Sequence, residues 1–179
     1  MGDEPPPAHQ EPASLAGAGQ RLTEDIELEV MTTIPRSHLD LVECPPVAAL
    51  STVMPDGQPQ TSVVWCDFDG TCVRVNTMSG FRKERNMRRN PLVTLLCFDP
   101  AQPLRYLEIR GTVIDISEQN ALQHLDDLSS KYAGRPVRYF GDMVPAQFAE
   151  TEVPVLCHIL PAGVVARDWS ETGGAAGPR

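Results

Sequence analysis

The sequence predicts a mainly β protein, a closed or split antiparallel barrel with two or three inserted helices. Two observations support this fold class: there are six or so β-rich runs with turn residues between the first three, and helical patterns separate only the later runs. A doubly wound parallel sheet would instead alternate strands and helices along its whole length. The 179 residues, 41% of them hydrophobic, suffice for one domain with one core.

The chain is predicted to hold one folded domain between flexible ends. Residues 1–33 are rich in Pro and Gly and poor in large apolar side chains, which predicts a disordered arm. Residues 170–179 have a similar composition and are expected to form a flexible tail. The folded domain is therefore placed at 34–169. It is expected to begin with a short helix at 35–44, which the Pro-Pro pair at 45–46 halts.

The first three β runs are predicted to form an antiparallel meander. Residues 47–54 and 58–66 are separated by Pro-Asp-Gly at 55–57, an order that suits a type I turn with Gly in the left-handed position. Residues 67–70 turn the second run into a third at 72–77, where apolar and polar residues alternate.

Helices and strands then alternate less regularly. A basic helix follows, which Ser79 can cap and Asn90-Pro91 ends, and a strand at 92–98 is apolar enough to be buried on both faces. The next element is a long strand at 106–116, with a bulge or close approach at Gly111. A helix follows at 117–132, with an N-cap region at Ser117 and Asn120 and with Leu122, Leu125 and Leu128 along one side. After an irregular stretch, closing strands are predicted at 155–159 and 164–168.

Composition excludes several classes of function. The net charge of -9 argues against a general nucleic-acid binder, and the absence of a long apolar run or a signal-like N-terminus predicts a cytoplasmic protein with no membrane partner. The five cysteines are expected to be free thiols, because Cys66 is predicted to face Val73 and Cys72 to face Asp67 across their turn. No catalytic triad, phosphate-binding loop or metal-spaced histidine pair occurs, and His124 is interpreted as structural.

One segment does suggest chemistry. Five of the fifteen basic residues, Arg82, Lys83, Arg85, Arg88 and Arg89, lie in a single short stretch of an acidic chain. Lys83, in the first turn of its helix, is best placed to bind an anion over the end of the preceding strand, with backbone N–H groups at 77–80 assisting. Asn86 could bind a sugar-like chain or the turn itself. Three of the arginines are interpreted as surface ion-pair partners, and a solvated helix face is the alternative for the whole segment.

Four motifs carry a resemblance to a known family: D-G-Q-P-Q at 56–60, V-N-T at 75–77, K-x-R-N-M-R-R-N-P at 83–91 and R-Y-L-E-I-R-G-T-V at 105–113. In this order they resemble the pyridoxamine-phosphate-oxidase-like split-barrel flavoproteins, whose fold is the FMN-binding split β-barrel. Within that group the chain is most similar to the actinobacterial branch that uses the deazaflavin coenzyme F420. The resemblance spans about residues 38–135.

The resemblance implies a homodimer with the cofactor in a groove between subunits. Carried over by position, it implies that Gln60, Ser62, Val63 and Val64 line the ring system, that Asn76, Thr77 and Met78 hold the ribityl–phosphate side, that Lys83 and Asn86 hold the phosphate, and that Tyr106 comes from the partner subunit. Arg82 or Arg85 would suit the carboxylates of the F420 tail. The family pattern departs at Gln58, where many relatives place a basic residue, and the stretch 133–169 matches less well.

The implied activity is hydride transfer between F420 and a planar, conjugated small molecule. Because the cofactor is itself the redox agent, no acid–base pair is required of the protein. Three alternatives stay open: an FMN-dependent oxidoreductase of the same fold, a non-catalytic flavin or tetrapyrrole carrier, and a nucleic-acid or partner-binding module that uses the basic helix. The extra basic residues favour F420 over FMN, and the third alternative is the least favoured.

Overall fold

The computed structural model describes residues 33–44 and 47–169, with the side chain of residue 47 left aside. The predicted arm at 1–33, apart from Thr33, the Pro-Pro pair and the tail at 170–179 lie outside the described residues. The division of the chain into arm, domain and tail therefore stays a prediction. No helix in the described ranges is long and apolar enough to cross a membrane.

The described chain is a curled antiparallel sheet with a few helices, which confirms the predicted fold class. The strands are β1 Val47–Val53, β2 Pro59–Val64, β3 Cys66–Phe68, β4 Val73–Met78, β5 Leu92–Asp99, β6 Gln102–Ser117 and β7 Pro154–Arg167. The helices are α1 Asp40–Glu43, α2 Arg82–Arg89 and α3 Ala121–Ala133, with short helical turns at Arg36–His38, Tyr139–Met143 and Ala146–Glu150.

The sheet has the order β2-β1-β5-β6-β7-β4-β3, so its two edge strands are consecutive in the chain. Only Trp65 separates β2 from β3. The predicted pairing of the three runs is therefore confirmed, but the prediction of one continuous second strand is wrong, because that run divides at Trp65. Its first half pairs with β1 and its second half pairs with β4. Because of this division, the chain passes directly from β2 at one edge of the curled sheet to β3 at the other edge.

The β3–β4 turn is longer than predicted, which changes its register. Cys66 lies opposite Val75 and not opposite Val73. The cause is Asp69, whose Oδ1 accepts the backbone N–H groups of Thr71 at 2.9 Å and Cys72 at 2.8 Å and so holds a four-residue connection. The prediction of free thiols is confirmed for all five cysteines.

Strand β5 is not buried on both faces in the single chain. Val93, Leu95 and Cys97 lie in the core, whereas Leu92 is 59% and Leu96 38% exposed. The alternation arises because the inner face of the sheet packs into the barrel core, while side chains of the outer face such as Val63 on β2 and Leu96 on β5 are exposed.

The later elements also differ from the prediction. The two closing strands form one strand, β7, which pairs with β6 almost throughout. The ladder shifts register at Gly111, as predicted, and a Cβ there would lie 2.6 Å from Ile159 Cγ2. Because β6 continues to Ser117, α3 begins only at Ala121, after Asn120 in the left-handed conformation with φ 58°.

The buried side of α3 differs in one position from the predicted leucine stripe. Leu125 and Leu128 are buried, but Leu122 is exposed and His124 takes its place on the inner side. The later start of the helix does not change its phase, so the difference reflects where the sheet lies: β4 offers polar partners to His124, which Leu122 could not use.

Candidate functional site

A cavity of about 220 Å³ lies where β4 ends and α2 begins. It is bounded by β2, β4, α2, α3 and the segment that follows α3. Its lining comprises Val63, Val64, Trp65, Asn76, Thr77, Met78, Phe81, Lys83, Leu125 and Tyr139. The lining is mainly apolar with a few polar groups, which is the usual make-up of a small-molecule site.

The start of α2 is held by Glu84, which the sequence analysis did not single out. Glu84 is buried, and its Oε2 accepts the backbone N–H of Gly80 at 3.1 Å, while Oε1 pairs with Arg88. Ser79 was predicted to cap the helix, but Phe81 occupies the N-cap position and no side chain caps it. The Ser79 N–H donates instead to the Val153 carbonyl oxygen at 2.8 Å. The reason is that β4 continues through Met78, so the chain turns into the helix later than expected.

Lys83 is half-buried at this cavity. Burial lowers the pKa of its ammonium group below the ordinary 10.5. No carboxylate in the described part of the chain forms an ion pair with it. The N–H groups of Ser79 and Gly80 are already donated to Val153 and Glu84, so the backbone assistance predicted for an anion is not available from these two. Lys83 is thus a desolvated cation that faces a cavity.

The structure brings together only part of the predicted site. Val63, Val64, Asn76, Thr77, Met78 and Lys83 share the cavity lining, whereas Gln60, Ser62, Arg82, Asn86 and Tyr106 lie outside it. Asn86 is buried against β1, and its Nδ2 donates to Thr52 Oγ1 at 3.0 Å. The Thr52 hydroxyl donates in turn to Gln60 Oε1 at 3.1 Å. Both amides are therefore part of the barrel wall.

The arginines of α2 lie outside the cavity lining. Arg82 is exposed and approaches Met54 Sδ at 3.8 Å, Arg85 donates to the Gly80 carbonyl oxygen, and Arg88 pairs with Glu84. Arg88 thus behaves as an ion-pair partner, as the sequence analysis expected. Arg85 contacts a carbonyl oxygen rather than a carboxylate.

An aromatic group forms one wall of the cavity and was missed at the level of sequence. Trp65 stacks on Tyr132 with ring centroids 4.9 Å apart and meets Tyr139 edge-on at 6.1 Å. Tyr139 also contacts Phe140 edge-on at 5.0 Å. These rings come from a strand break, a helix and an irregular segment, and no sequence pattern links such positions. A flat apolar wall of this kind suits planar ligands.

A chain of hydrogen bonds links Asn76 to the polar side of α3. Asn76 Nδ2 lies 2.7 Å from the Ala121 carbonyl oxygen and 3.3 Å from His124 Nδ1. His124 Nε2 lies 3.2 Å from Asp67 Oδ1, and Arg74 binds both oxygens of the same carboxylate. Burial alone would raise the pKa of Asp67, but hydrogen bonds from His124 and Arg74 outweigh it and hold the pKa well below 3.8.

His124 is therefore a buried structural residue, as predicted. Over the described ranges, no group of three or more His, Cys, Asp or Glu side chains is arranged to hold a metal ion. Polar groups of the lining that a ligand can use include the Lys83 ammonium, the Thr77 hydroxyl and the Asn76 carboxamide.

Comparisons with known proteins agree with this architecture. The family model described as pyridoxamine 5′-phosphate oxidase matches residues 34–153, well over half of the chain. No curated protein matches the sequence.

Among solved structures, the chain is similar to an F420 reductase at 30% identity, with a TM-score of 0.62 over 73% of this chain and 98% of that one. It is also similar to a conserved hypothetical protein of Mycobacterium tuberculosis at 20% identity, with a TM-score of 0.62 over 83% of this chain and 93% of that one. A protein of unknown function from Agrobacterium tumefaciens shares 16% identity, with a TM-score of 0.55 over 82% of this chain and 61% of that one. The latter two likenesses concern the fold alone.

Proposed function

Because this chain belongs to the pyridoxamine 5′-phosphate oxidase family of split barrels, we propose that it is an oxidoreductase that transfers a hydride between coenzyme F420 and a planar, conjugated small molecule. The cofactor lies in a groove completed by a second copy of the chain. The proposal joins two independent supports, the chemistry of the cavity and the identity of the relatives.

The observation that carries the proposal is Lys83. A lysine that is half-buried beside a mainly apolar cavity, with its pKa lowered by burial and no carboxylate partner in the described chain, lacks the counter-charge that buried cations normally have. An anionic group on a bound ligand supplies that charge. The phosphate of a ribityl-phosphate cofactor is such a group, and F420 and FMN both carry one.

The other lining residues fit the remainder of such a cofactor. Val63, Val64 and Met78 offer apolar surface for a ring system, and Thr77 and Asn76 offer polar groups at the strand end next to Lys83. Gln60, Ser62 and Asn86 are not needed for this fit, because they lie outside the lining. The residues present therefore suit the cofactor class, with fewer contacts from a single chain than the family resemblance implies.

The size of the cavity and the apolar outer surface of the sheet support a second copy of the chain. A cavity of about 220 Å³ is smaller than the roughly 300–1,000 Å³ that enclosed small-molecule sites occupy. Val63, 73% exposed, pairs with Ala49, which pairs in turn with Leu96, so apolar side chains form a row across the outer face of three strands. Covering this face with a second copy would bury the row and add a further wall to the cavity. Tyr106, on β6, is available to a partner in that arrangement.

F420, when bound, supplies or accepts the hydride, and the chain's residues bind, orient and exclude water. Lys83 neutralises the phosphate, and the strand end at Thr77 and Met78 fixes the position of the adjoining chain. Trp65 and Tyr139 provide an aromatic wall against which a planar substrate can pack and from which water is displaced. The absence of any acid–base pair in this lining is consistent with a reaction whose electrons pass directly between two ring systems.

The choice of F420 over FMN is supported by the F420 reductase that shares 30% identity over 98% of its length. The exposed arginines of α2 add a cationic surface near the cavity that suits a polyanionic tail.

The test is a titration of the purified protein with F420 and, separately, with FMN, followed by ligand fluorescence and size exclusion. We expect tight F420 binding to a dimer and weaker FMN binding. If the protein prefers FMN, FMN is the cofactor of the same site. If it binds neither compound, the proposed function is wrong.

Turnover separates an enzyme from a carrier that uses the same groove. Reduced F420 bound to the protein should be oxidised on addition of planar, conjugated acceptors such as quinones, with one equivalent of acceptor consumed per F420. Tight binding without oxidation across such a panel would favour the non-catalytic carrier.

A further inference from the structure

The carboxamide of Asn76 has one orientation that its neighbours accept. Its Nδ2 lies 2.7 Å from the Ala121 carbonyl oxygen and 3.3 Å from His124 Nδ1. Turning the amide over would place Oδ1 at hydrogen-bonding distance from a carbonyl oxygen, so that two acceptors would meet. Nδ2 therefore faces α3, and both of its hydrogens are used there.

This orientation fixes the protonation of His124. Since Asn76 donates to Nδ1, that nitrogen must be an unprotonated acceptor, and the ring proton resides on Nε2. Nε2 can then donate to Asp67 Oδ1, 3.2 Å away. Arg74 already binds this carboxylate through Nε at 2.8 Å and through a terminal nitrogen at 2.6 Å. The charge of Asp67 is thereby balanced, so a neutral imidazole suffices.

The other end of the amide has no partner. Asn76 Oδ1 is buried, and no donor from the described part of the chain reaches it. Asn76 also lines the cavity that contains Lys83. A buried acceptor without a donor is unfavourable, and most such atoms in proteins are satisfied by protein, water or ligand.

We propose that Asn76 presents a hydrogen-bond acceptor to a donor group of the bound cofactor, and that His124, Asp67 and Arg74 are positioning residues that fix this polarity. The donor is a hydroxyl of the ribityl chain or the imide N–H of the ring. The inference rests on the proposed function, because it requires a cofactor in this cavity. It adds α3 and the β3–β4 hairpin to the elements on which cofactor affinity depends.

The polarity itself is tested without any ligand by nitrogen-15 NMR of the histidine rings in the full-length protein at neutral pH. The ring signals of His124 are assigned by their loss in a His124→Asn variant. We expect Nδ1 to show the shift of an unprotonated nitrogen and Nε2 that of a protonated one. An imidazolium, or the opposite tautomer, would overturn the inference.

The consequence for binding is tested with three variants titrated with F420 and with FMN. In His124→Leu the acceptor for Asn76 is absent, and we expect affinity to fall about five- to tenfold, the effect of one misdirected hydrogen bond. In His124→Asn an amide oxygen can replace Nδ1, and most of the affinity should return. His158→Leu is the matched control, because this second histidine lies 3.6 Å from Asp115 and has no hydrogen bond to Asn76.

The inference would be overturned if His124→Leu bound the cofactor as tightly as the wild type. It would also be overturned if His124→Asn lost as much affinity as His124→Leu. Failure of the proposed function is a different result, in which the wild-type protein itself binds neither F420 nor FMN. Should His124→Leu not fold, the NMR measurement on the wild-type protein still decides.

The source of the donor is distinguished by competition with riboflavin and with lumiflavin, which carries the same imide but no hydroxyl chain. If His124→Leu loses affinity for riboflavin alone, the donor to Asn76 is a ribityl hydroxyl. If it loses affinity for both riboflavin and lumiflavin, the donor is the imide N–H.

Discussion

Asn86 and Thr52 are joined by a buried hydrogen bond, in which Asn86 Nδ2 donates to Thr52 Oγ1 at 3.0 Å. The Thr52 hydroxyl donates onward to Gln60 Oε1 at 3.1 Å, so α2, β1 and β2 are connected in one chain of polar contacts. The resemblance implied that Asn86 and Gln60 contact the cofactor. In the structure Asn86 and Gln60 instead bind Thr52, and these contacts tie the helix that carries Lys83 to β1 and β2.

We expect Asn86→Leu to destabilise the protein by about 1–3 kcal/mol, because it leaves the Thr52 hydroxyl with a lost donor in a buried site. Thr52→Val should cost a similar amount. The double variant should cost less than the sum, since both polar partners are then gone. Urea denaturation of the four proteins measures this, and strict additivity would show that the hydrogen bond contributes nothing.

Lys83→Met should weaken binding of F420 or FMN by about 10- to 100-fold, the effect of one charge-assisted contact. Burial lowers the pKa of Lys83 from 10.5, so the unfolded chain binds this proton more tightly and burial of the charge opposes folding. That penalty is fully present below the folded-state pKa and disappears as pH rises through 10.5. The apo variant should therefore be at least as stable as the wild type at neutral pH.

Thermal unfolding and ligand titration together check this prediction, with Arg89→Met on the exposed side of the same helix as the control. A Lys83→Met protein that binds as tightly as wild type would place the anion elsewhere.

Asp67→Asn should lower the free energy of unfolding at neutral pH by about 2 kcal/mol, because two charge-assisted partners lose their carboxylate. The pKa of Asp67 is depressed in the folded protein, so its contribution is present above 3.8 and is lost as pH falls below that value. The stability curves of wild type and variant should converge in that acidic window. Denaturant titrations from pH 2 to 7 test this, with the exposed Asp127→Asn as control; parallel curves would contradict it.

Gly111→Ala should destabilise the barrel by about 2–3 kcal/mol through overpacking. The added Cβ would lie 2.6 Å from Ile159 Cγ2 and 2.8 Å from the Leu160 carbonyl oxygen, and the second atom belongs to the backbone and cannot rotate away. Ile114→Ala, an exposed position on the same strand, should change stability by less than about 0.5 kcal/mol. Chemical denaturation compares the two, and equal stabilities would mean that the bulge adjusts freely.

Leu92→Glu combined with Leu96→Glu should convert the proposed dimer to a monomer, because both side chains lie exposed on the outer face of β5 and would carry charge into the interface. Leu122→Glu, on the exposed side of α3, is the matched control. Sedimentation velocity gives the mass directly. A variant that keeps the wild-type mass would exclude this face as the subunit contact.

The elements that the sequence predicts best are those whose cause is local. Runs of β-rich residues between turn residues predicted the strands, Asn90-Pro91 predicted the end of α2, and a glycine inside a strand predicted a bulge or close approach at Gly111. Charge and position within the first helical turn singled out Lys83, which does face a cavity. Each of these signals can be recognised within a few residues of the sequence, although distant residues such as Ile159 set the space at Gly111.

The features that the sequence did not reveal depend on distant partners. In the sequence Glu84 resembles a surface charge within a basic helix, and only the structure shows that its carboxylate accepts the Gly80 N–H. His124 and Asn76 are 48 positions apart, and only the packing of α3 on β4 brings them together. Leu92 and Leu96 look like core residues because the apolar outer face of β5 has the same composition as its buried face.

The single residue between β2 and β3, Trp65, marks a seam between the two edges of the curled sheet. Among the described strands β2 and β3 do not pair with each other, and Trp65 bridges the two edges of the sheet covalently. Contacts at the seam include the stacking of Trp65 on Tyr132 and a bond of 3.4 Å from the Cys66 N–H to the Tyr132 hydroxyl. Because Trp65 also lines the cavity, one side chain belongs both to this seam and to the cavity wall, and a substitution there would alter the two together.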